Sequence, residues 1–195
     1  MIYNYWKAKL SKEECEKLIE EFDISSADEA EVGIILNTPA GAHQETKKYY
    51  PDHSIRKTKI NWVPRSHIYN KILGDYILKT NEILFHYDLT KYSSCQFARY
   101  NVGDYYHFHQ DAGALPEDFE KETRKLSMTV QLSDPDSYEG GQFYFYNGML
   151  KEDEPPIQEQ GSILVFDSKM WHRVSPVTKG VRYSLVSWSS GPPFK

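Results

Sequence analysis

Residues 100–111, Tyr100-Asn-Val-Gly-Asp-Tyr-Tyr-His-Phe-His109-Gln-Asp111, decide how the remainder of the chain is read. A run rich in aromatic and β-branched residues, Cys95–Tyr100, is followed by a second, Tyr105–His109. Short runs of this composition read as strands. The same grammar continues through Leu126–Leu132, Gln142–Tyr146, Ile163–Phe166, His172–Pro176 and Val181–Ser189. Gly140-Gly141, Asn147-Gly148 and Lys179-Gly180 punctuate these runs. Many short strands with glycine turns predict a sandwich or barrel.

Upstream of residue 90 the pattern differs. Ser11 with Glu14 has capping-box spacing, and Cys15, Leu18, Ile19 and Phe22 recur at helical intervals. A second helix is expected from Ser66 to about Phe85, burying Ile68, Ile72, Leu73, Tyr76, Ile77, Ile83 and Leu84, with Gly74 inside it. Between them, 23–54 reads as loop with turn signals over 37–41 and one strand at Val32–Leu36. Ile60–Val63 reads as a short strand ended by Pro64. The expected architecture is mainly β: a double-stranded β-helix (jelly roll) carrying N-terminal helices. Residues 1–195 read as one domain, with helical support over about 1–90 and a core over about 91–195.

Composition narrows the function classes. The 195 residues carry 23 Lys plus Arg against 28 Asp plus Glu, a formal charge of -5. That balance disfavours a general nucleic-acid binder. Mean hydropathy is -0.65, and no apolar run approaches the roughly 20 residues of a membrane helix. Met1–Leu10 lacks the parts of a signal peptide. Cys15 and Cys95 form no CxxC pair, which fits a cytoplasmic setting and excludes a cysteine-type zinc site or a disulfide scaffold. The core must draw on 15 tyrosines, 9 phenylalanines and 4 tryptophans.

Among seven histidines, His109 stands out because Asp111 lies two positions on, so an extended chain presents both on one face. A neutral imidazole and a carboxylate so placed offer two ligands to a divalent metal, and His172 is the candidate third. Together they would form a facial triad that leaves Fe(II) positions open. His107 shares the parity of His109, so a straight strand does not exclude it. Ten residues past His172 comes Arg182, in Val181-Arg-Tyr-Ser-Leu-Val-Ser-Trp188. Period-2 alternation sets Arg182, Ser184, Val186 and Trp188 on one face. An arginine on that face calls for an acid, which a guanidinium grips bidentately; Ser184 can add its hydroxyl.

The combination Tyr-x-x-Gly…His-x-Asp…His…Arg-x-Ser resembles the 2-oxoglutarate- and Fe(II)-dependent oxygenases, and within them the prolyl 4-hydroxylase-like, PKHD-type group. The resemblance runs from about Cys95 to the C-terminus. It implies His109, Asp111 and His172 as iron ligands, with no catalytic residue beyond the metal centre. It implies Arg182 and Tyr100, with Ser184, as partners of the 2-oxoglutarate C5 carboxylate. Tyr106 and Trp188 match positions where prolyl hydroxylases pack rings near the target, and Arg124 matches an arginine pointing toward the peptide. The implied cofactors are Fe(II), 2-oxoglutarate as cosubstrate and O2, with ascorbate as a reductant. The implied reaction hydroxylates an aliphatic C–H, releasing succinate and CO2. Gln142-Phe143 departs from the acidic and small polar residues the family often carries after the glycine pair.

The expected substrate is a prolyl or other residue of a peptide or protein, with residues 112–124 as a candidate lid. A free amino acid or small metabolite is the alternative within the same chemistry. A nucleic-acid demethylase is disfavoured because Trp188 stands where that subfamily repeats an arginine, and a halogenase because Asp111 is present. From a different class, a non-catalytic jelly-roll binding module would suit the strand Phe143–Tyr146. A zinc or manganese cupin-like enzyme would share the ligand types, but not Arg182. Substrate identity and oligomeric state are not legible.

Overall fold

The computed structural model describes residues 2–23, 28–36, 46–112, 122–146, 152–153 and 157–194. Its N-terminal part runs β1 (Tyr3–Trp6), α1 (Lys12–Phe22), β2 (Asp28–Glu29), β3 (Val32–Leu36), β4 (Thr46–Tyr50), β5 (Arg56–Lys57), β6 (Lys59–Trp62) and α2 (Ile68–Thr80). There follow β7 (Lys91–Tyr92), β8 (Gln96–Tyr100), β9 (Tyr105–His109), β10 (Thr123–Gln131), β11 (Tyr138–Gly140) and β12 (Phe143–Tyr146). The chain closes with β13 (Glu152–Asp153), β14 (Ile163–Asp167), β15 (His172–Val174), β16 (Val177–Gly180) and β17 (Arg182–Gly191).

Two antiparallel sheets face each other. The larger has the order β1-β14-β10-β17-β8-β6-β2, with β7 pairing the far end of β17; the smaller is β13-β12-β15-β9-β5. β3 pairs with β4, and β11 with β16. Because successive strand residues point to opposite faces, the larger sheet supplies two cores. Phe97, Leu126, Met128, Val130 and Leu185 pack with Leu18 and Phe22 of α1 and Leu73 and Ile77 of α2. Ala98, Leu164 and Phe166 meet Phe143, Phe145 and Val174 of the smaller sheet. This is the jelly roll with two supporting helices that the sequence predicts. No helix among the described residues is long and apolar enough to cross a membrane.

The first helix begins as expected. Ser11 accepts from the Glu14 amide while the Glu14 carboxylate accepts from the Ser11 amide, and Cys15, Leu18 and Phe22 are buried. The second departs from expectation. It starts at Ile68 rather than Ser66, because His67 N–H closes a turn on the Pro64 carbonyl and His67 caps the first turn. Its buried stripe is Leu73, Gly74, Ile77 and Thr80, while Ile68, Ile72, Ile83 and Leu84 are exposed. The expected set had merged two neighbouring stripes of one helix. Past Thr80 a π-helical turn over Asn81–Phe85 replaces the α-helix, and its wider period rotates Ile83 and Leu84 outward. The Val32–Leu36 strand is present; the expected turns at 37–41 and 147–148 lie outside the described residues.

Candidate active site

A cavity of about 710 Å3 opens between the two sheets. Its floor is β17, from which Arg182, Ser184, Val186 and Trp188 all face inward, as the alternation predicts. Its opposite wall is the smaller sheet, bearing His109 and His172. These two are directly paired across β9 and β15, with ring centroids 4.1 Å apart. Asp111 lies just past β9. Its N–H and that of Ala112 both donate to the Ser168 carbonyl, and Ser168 N–H donates to Lys125. The carboxylate is thereby tied to the turn that leads from β14 to His172.

The three side chains converge. His109 Nε2 is 3.6 Å from Asp111 Oδ1, and His172 Nε2 is 3.5 Å from Asp111 Oδ2. His109 Nδ1 lies 2.8 Å from the His107 carbonyl and His172 Nδ1 2.9 Å from the Met170 carbonyl. A carbonyl only accepts, so both Nδ1 atoms carry the proton and both Nε2 lone pairs turn to the common centre. Ser127 donates to Asp111 Oδ2 at 2.7 Å; its one proton is thus used, and Ser168 Oγ, 2.8 Å away, donates to Ser127. Phe143 stacks on His172 and Phe166 meets it edge-on, fixing the ring.

Burial, reinforced by the neighbouring His172, pushes His109 down to about 3, so its imidazole is neutral at ordinary pH. Burial opposes ionisation of Asp111, but His172, His109, Arg124 and the Ser127 hydrogen bond outweigh it and hold the carboxyl below its usual range. The Nε2 atoms of two imidazoles and one ionised carboxylate within 4.8 Å of one another are the donor set of a divalent first-row metal.

His107 is turned out of this group. β15 advances two residues from His172 to Val174 while β9 steps back three, from His109 to Tyr106. That bulge puts Tyr106 on the face of His109, rings 3.5 Å apart and nearly parallel, and leaves His107 exposed. Arg182, 2% exposed, sits opposite Tyr100 across β17 and β8. Its guanidinium lies 5.5 Å from the Tyr100 ring and 3.5 Å from Ser184 Oγ. Gly141, at φ +64, makes room for it, since a Cβ there would stand 3.0 Å from Arg182 Cδ. At the other end of the floor, Arg124 stacks on Trp188 at 4.0 Å. Apart from His107, the candidate side chains Tyr100, Tyr106, His109, Asp111, Arg124, His172, Arg182, Ser184 and Trp188 all line this cavity. The candidate lid at 112–124 falls mostly outside the described residues.

The sequence reading missed Arg56, Gln96 and Ser127. Ser127 was legible in principle: in Leu126-Ser-Met-Thr-Val130 the polar residues share one parity. Arg56 was hidden in the charged run Arg56-Lys-Thr-Lys59, which reads as solvated surface.

Residues 95–190 match the 2OG-Fe(II) oxygenase superfamily, and this part of the chain belongs to that superfamily. Within it the similarity is to the PKHD-type hydroxylases. One from Gloeothece citriformis is 37% identical over 99 residues, half of this chain and 43% of the relative. Another, from Synechococcus elongatus, is 36% identical over 95 residues, 49% of this chain and 42% of the relative. The chain thus aligns with less than half the length of these curated relatives. Among solved structures, a Pseudomonas putida prolyl-4-hydroxylase superposes with a TM-score of 0.69 at 21% identity, over 98% of this chain and 93% of that one. A Trichoplax adhaerens prolyl hydroxylase, in complex with a hypoxia inducible factor oxygen degradation domain peptide fragment, gives 0.66 at 19%, over 96% and 82%.

Proposed function

We propose that the protein is a 2-oxoglutarate- and Fe(II)-dependent dioxygenase that hydroxylates an aliphatic C–H of a prolyl or other residue in a peptide or protein. The observation that carries this reading is the pair of Nδ1-anchored histidines converging with Asp111 at one wall of a cavity whose floor ends in buried Arg182. His109, Asp111 and His172 would hold the iron. Arg182, Tyr100 and Ser184 would hold the far carboxylate of 2-oxoglutarate. Iron, 2-oxoglutarate and O2 would together supply the oxidising chemistry, with succinate, CO2 and a hydroxylated substrate as products and ascorbate as the external reductant.

The chain's own part is positional. The carbonyls of His107 and Met170 fix the tautomers of the two imidazoles, and Ser127 keeps Asp111 ionised and oriented. Phe143, Phe166 and Tyr106 pack around the rings and limit water. Trp188, Arg124 and Tyr106 would meet the substrate. The open cavity, and the fact that a protein of the same fold holds a peptide fragment, support a peptidyl target over a small metabolite. The packing of α1 and α2 on the larger sheet supports residues 1–195 acting as one domain. The two free, buried cysteines support a reducing, cytoplasmic setting.

The test is an anaerobic titration of Fe(II) and 2-oxoglutarate, followed by the weak visible charge-transfer absorption, in wild type and His172→Ala. A band in the wild type that is lost in the variant is the expected result. No band in folded, reduced wild type would overturn the oxygenase reading and favour a binding module.

A further inference from the structure

Besides Arg182, Arg56 is a buried guanidinium of the cavity wall with no acid among its contacts to the described residues. It is 7% exposed and projects from β5, which pairs with β9 at Tyr106. Nη2 donates to Gln96 Oε1 at 3.0 Å, the guanidinium lies 4.6 Å from the Tyr106 ring, and the buried Nε has no acceptor. No carboxylate among the described residues forms an ion pair with it. A guanidinium buried against a neutral amide and a tyrosine ring keeps most of its desolvation cost unrepaid. Gln96 is similarly placed. Its oxygen must face Arg56, which offers only donors, so its –NH2 is left to meet another acceptor.

The location separates this pair from the 2-oxoglutarate end. Gln96 is opposite Val186 and Tyr100 is opposite Arg182. The two positions are four residue steps apart along the strand, about 13 Å. Arg56 and Gln96 therefore lie toward the Trp188 end of the floor, where Trp62 and Trp188 approach within 6.4 Å and the cavity opens. They border the space in front of the two histidines that the cosubstrate's far carboxylate does not reach.

We propose that Arg56 and Gln96 form an anion subsite that receives a carboxylate of the substrate, so that the site selects substrates bearing an acid close to the carbon to be hydroxylated. The inference rests on the oxygenase reading and narrows its substrate class. Arg56 Nε–H and Gln96 Nε2–H are the two donors, and a planar carboxylate is the acceptor that satisfies both. The acid belongs either to a side chain next to the target in a peptide or to the α-carboxylate of a free amino acid.

The test measures binding calorimetrically to protein saturated with Mn(II) and 2-oxoglutarate, where no turnover occurs. Two matched pairs serve as probes: acetyl-Pro-Asp-amide against acetyl-Pro-Asn-amide, and N-acetylproline against N-acetylprolinamide. In at least one pair the acid should bind about tenfold or more tighter than its amide. The preference should vanish in Arg56→Met and survive in part in Arg56→Lys. Preference in the first pair assigns the acid to a peptide side chain, and in the second to a main-chain carboxylate. Equal binding of acid and amide, no binding of either acid, or a preference that persists in Arg56→Met would overturn the subsite. Because Met removes an uncompensated charge, the Arg56→Met melting temperature should equal or exceed that of the ligand-free wild type; a large drop would make Arg56 a structural group. Loss of the wild-type Fe(II)–2-oxoglutarate band would instead sink the oxygenase reading itself, so the two failures are distinguishable.

Discussion

At the scale of single residues, the site depends on which atoms carry protons. His109 is pushed from its ordinary 6.5 to about 3 by burial and the adjacent His172. Between those values the unfolded chain binds a proton that the folded chain refuses. The stability tied to this group is therefore complete above pH 6.5 and lost as pH falls toward 3, at up to about 1.4 kcal/mol per pH unit. Asp111, held below its usual range, extends the loss at still lower pH. In metal-free protein the urea midpoint should fall steadily from pH 7 to pH 4, and His109→Asn should flatten that slope; an unchanged slope in the variant would refute the assignment. Ser127 makes a different prediction. Ser127→Ala removes the donor to Asp111 Oδ2 and leaves a buried carboxylate oxygen short of a partner. Metal affinity measured by competition with a chelator should drop by about ten- to a hundredfold, with the circular dichroism spectrum retained. The His-x-Asp pair and the Arg182–Ser184 face were legible in the sequence because both obey the period of 2. Tyr106 was reached only by resemblance, because the bulge between it and His109 breaks that period.

At the scale of elements, what was illegible has a common cause. β2, β5 and β7 are two residues each, too short for alternation to register. β1 lies in a segment whose hydrophobicity looks unremarkable until β14 pairs with it. The π-helical turn after α2 is held by reciprocal bonds between the Asn81 side chain and the Tyr87 backbone, which no hydrophobic pattern encodes. Long, periodic elements such as α1 and β17 were legible for the converse reason: their burial repeats often enough to be counted. The glycine pair at the end of β11 shows how an element boundary shapes the site. Gly141 sits at φ +64, and a Cβ there would meet Val177 Cγ2 at 2.9 Å and Arg182 Cδ at 3.0 Å. Gly141→Ala should cost about 1–3 kcal/mol through backbone strain and crowding, read as a lower melting temperature. It should also weaken 2-oxoglutarate binding more than metal binding, because Arg182 moves and the two histidines do not. Equal weakening of both would argue against Arg182 as the carboxylate partner.

At the scale of the molecule, the candidate ligands divide between the two sheets. His109 and His172 belong to the smaller sheet, and Asp111 is tied to the turn after β14. Arg182, Tyr100 and Ser184 belong to the larger sheet. A metal alone would brace one wall, and 2-oxoglutarate alone would have an arginine but no metal to chelate. Bound together they would link the walls through a single chain of contacts, so their stabilisation should exceed the sum of the separate effects. A ligand set held at about a hundredfold over its dissociation constant contributes about 2.7 kcal/mol. In a chain of this length that corresponds to a rise of roughly 5–11 °C in melting temperature. Calorimetry should give little shift with 2-oxoglutarate alone, a modest one with Mn(II) alone, and the full rise only with both. Arg182→Met should abolish the extra increment while leaving the Mn(II) shift in place. Strict additivity in the wild type would mean that the two ligands do not meet, and that the cavity between the sheets is not one site.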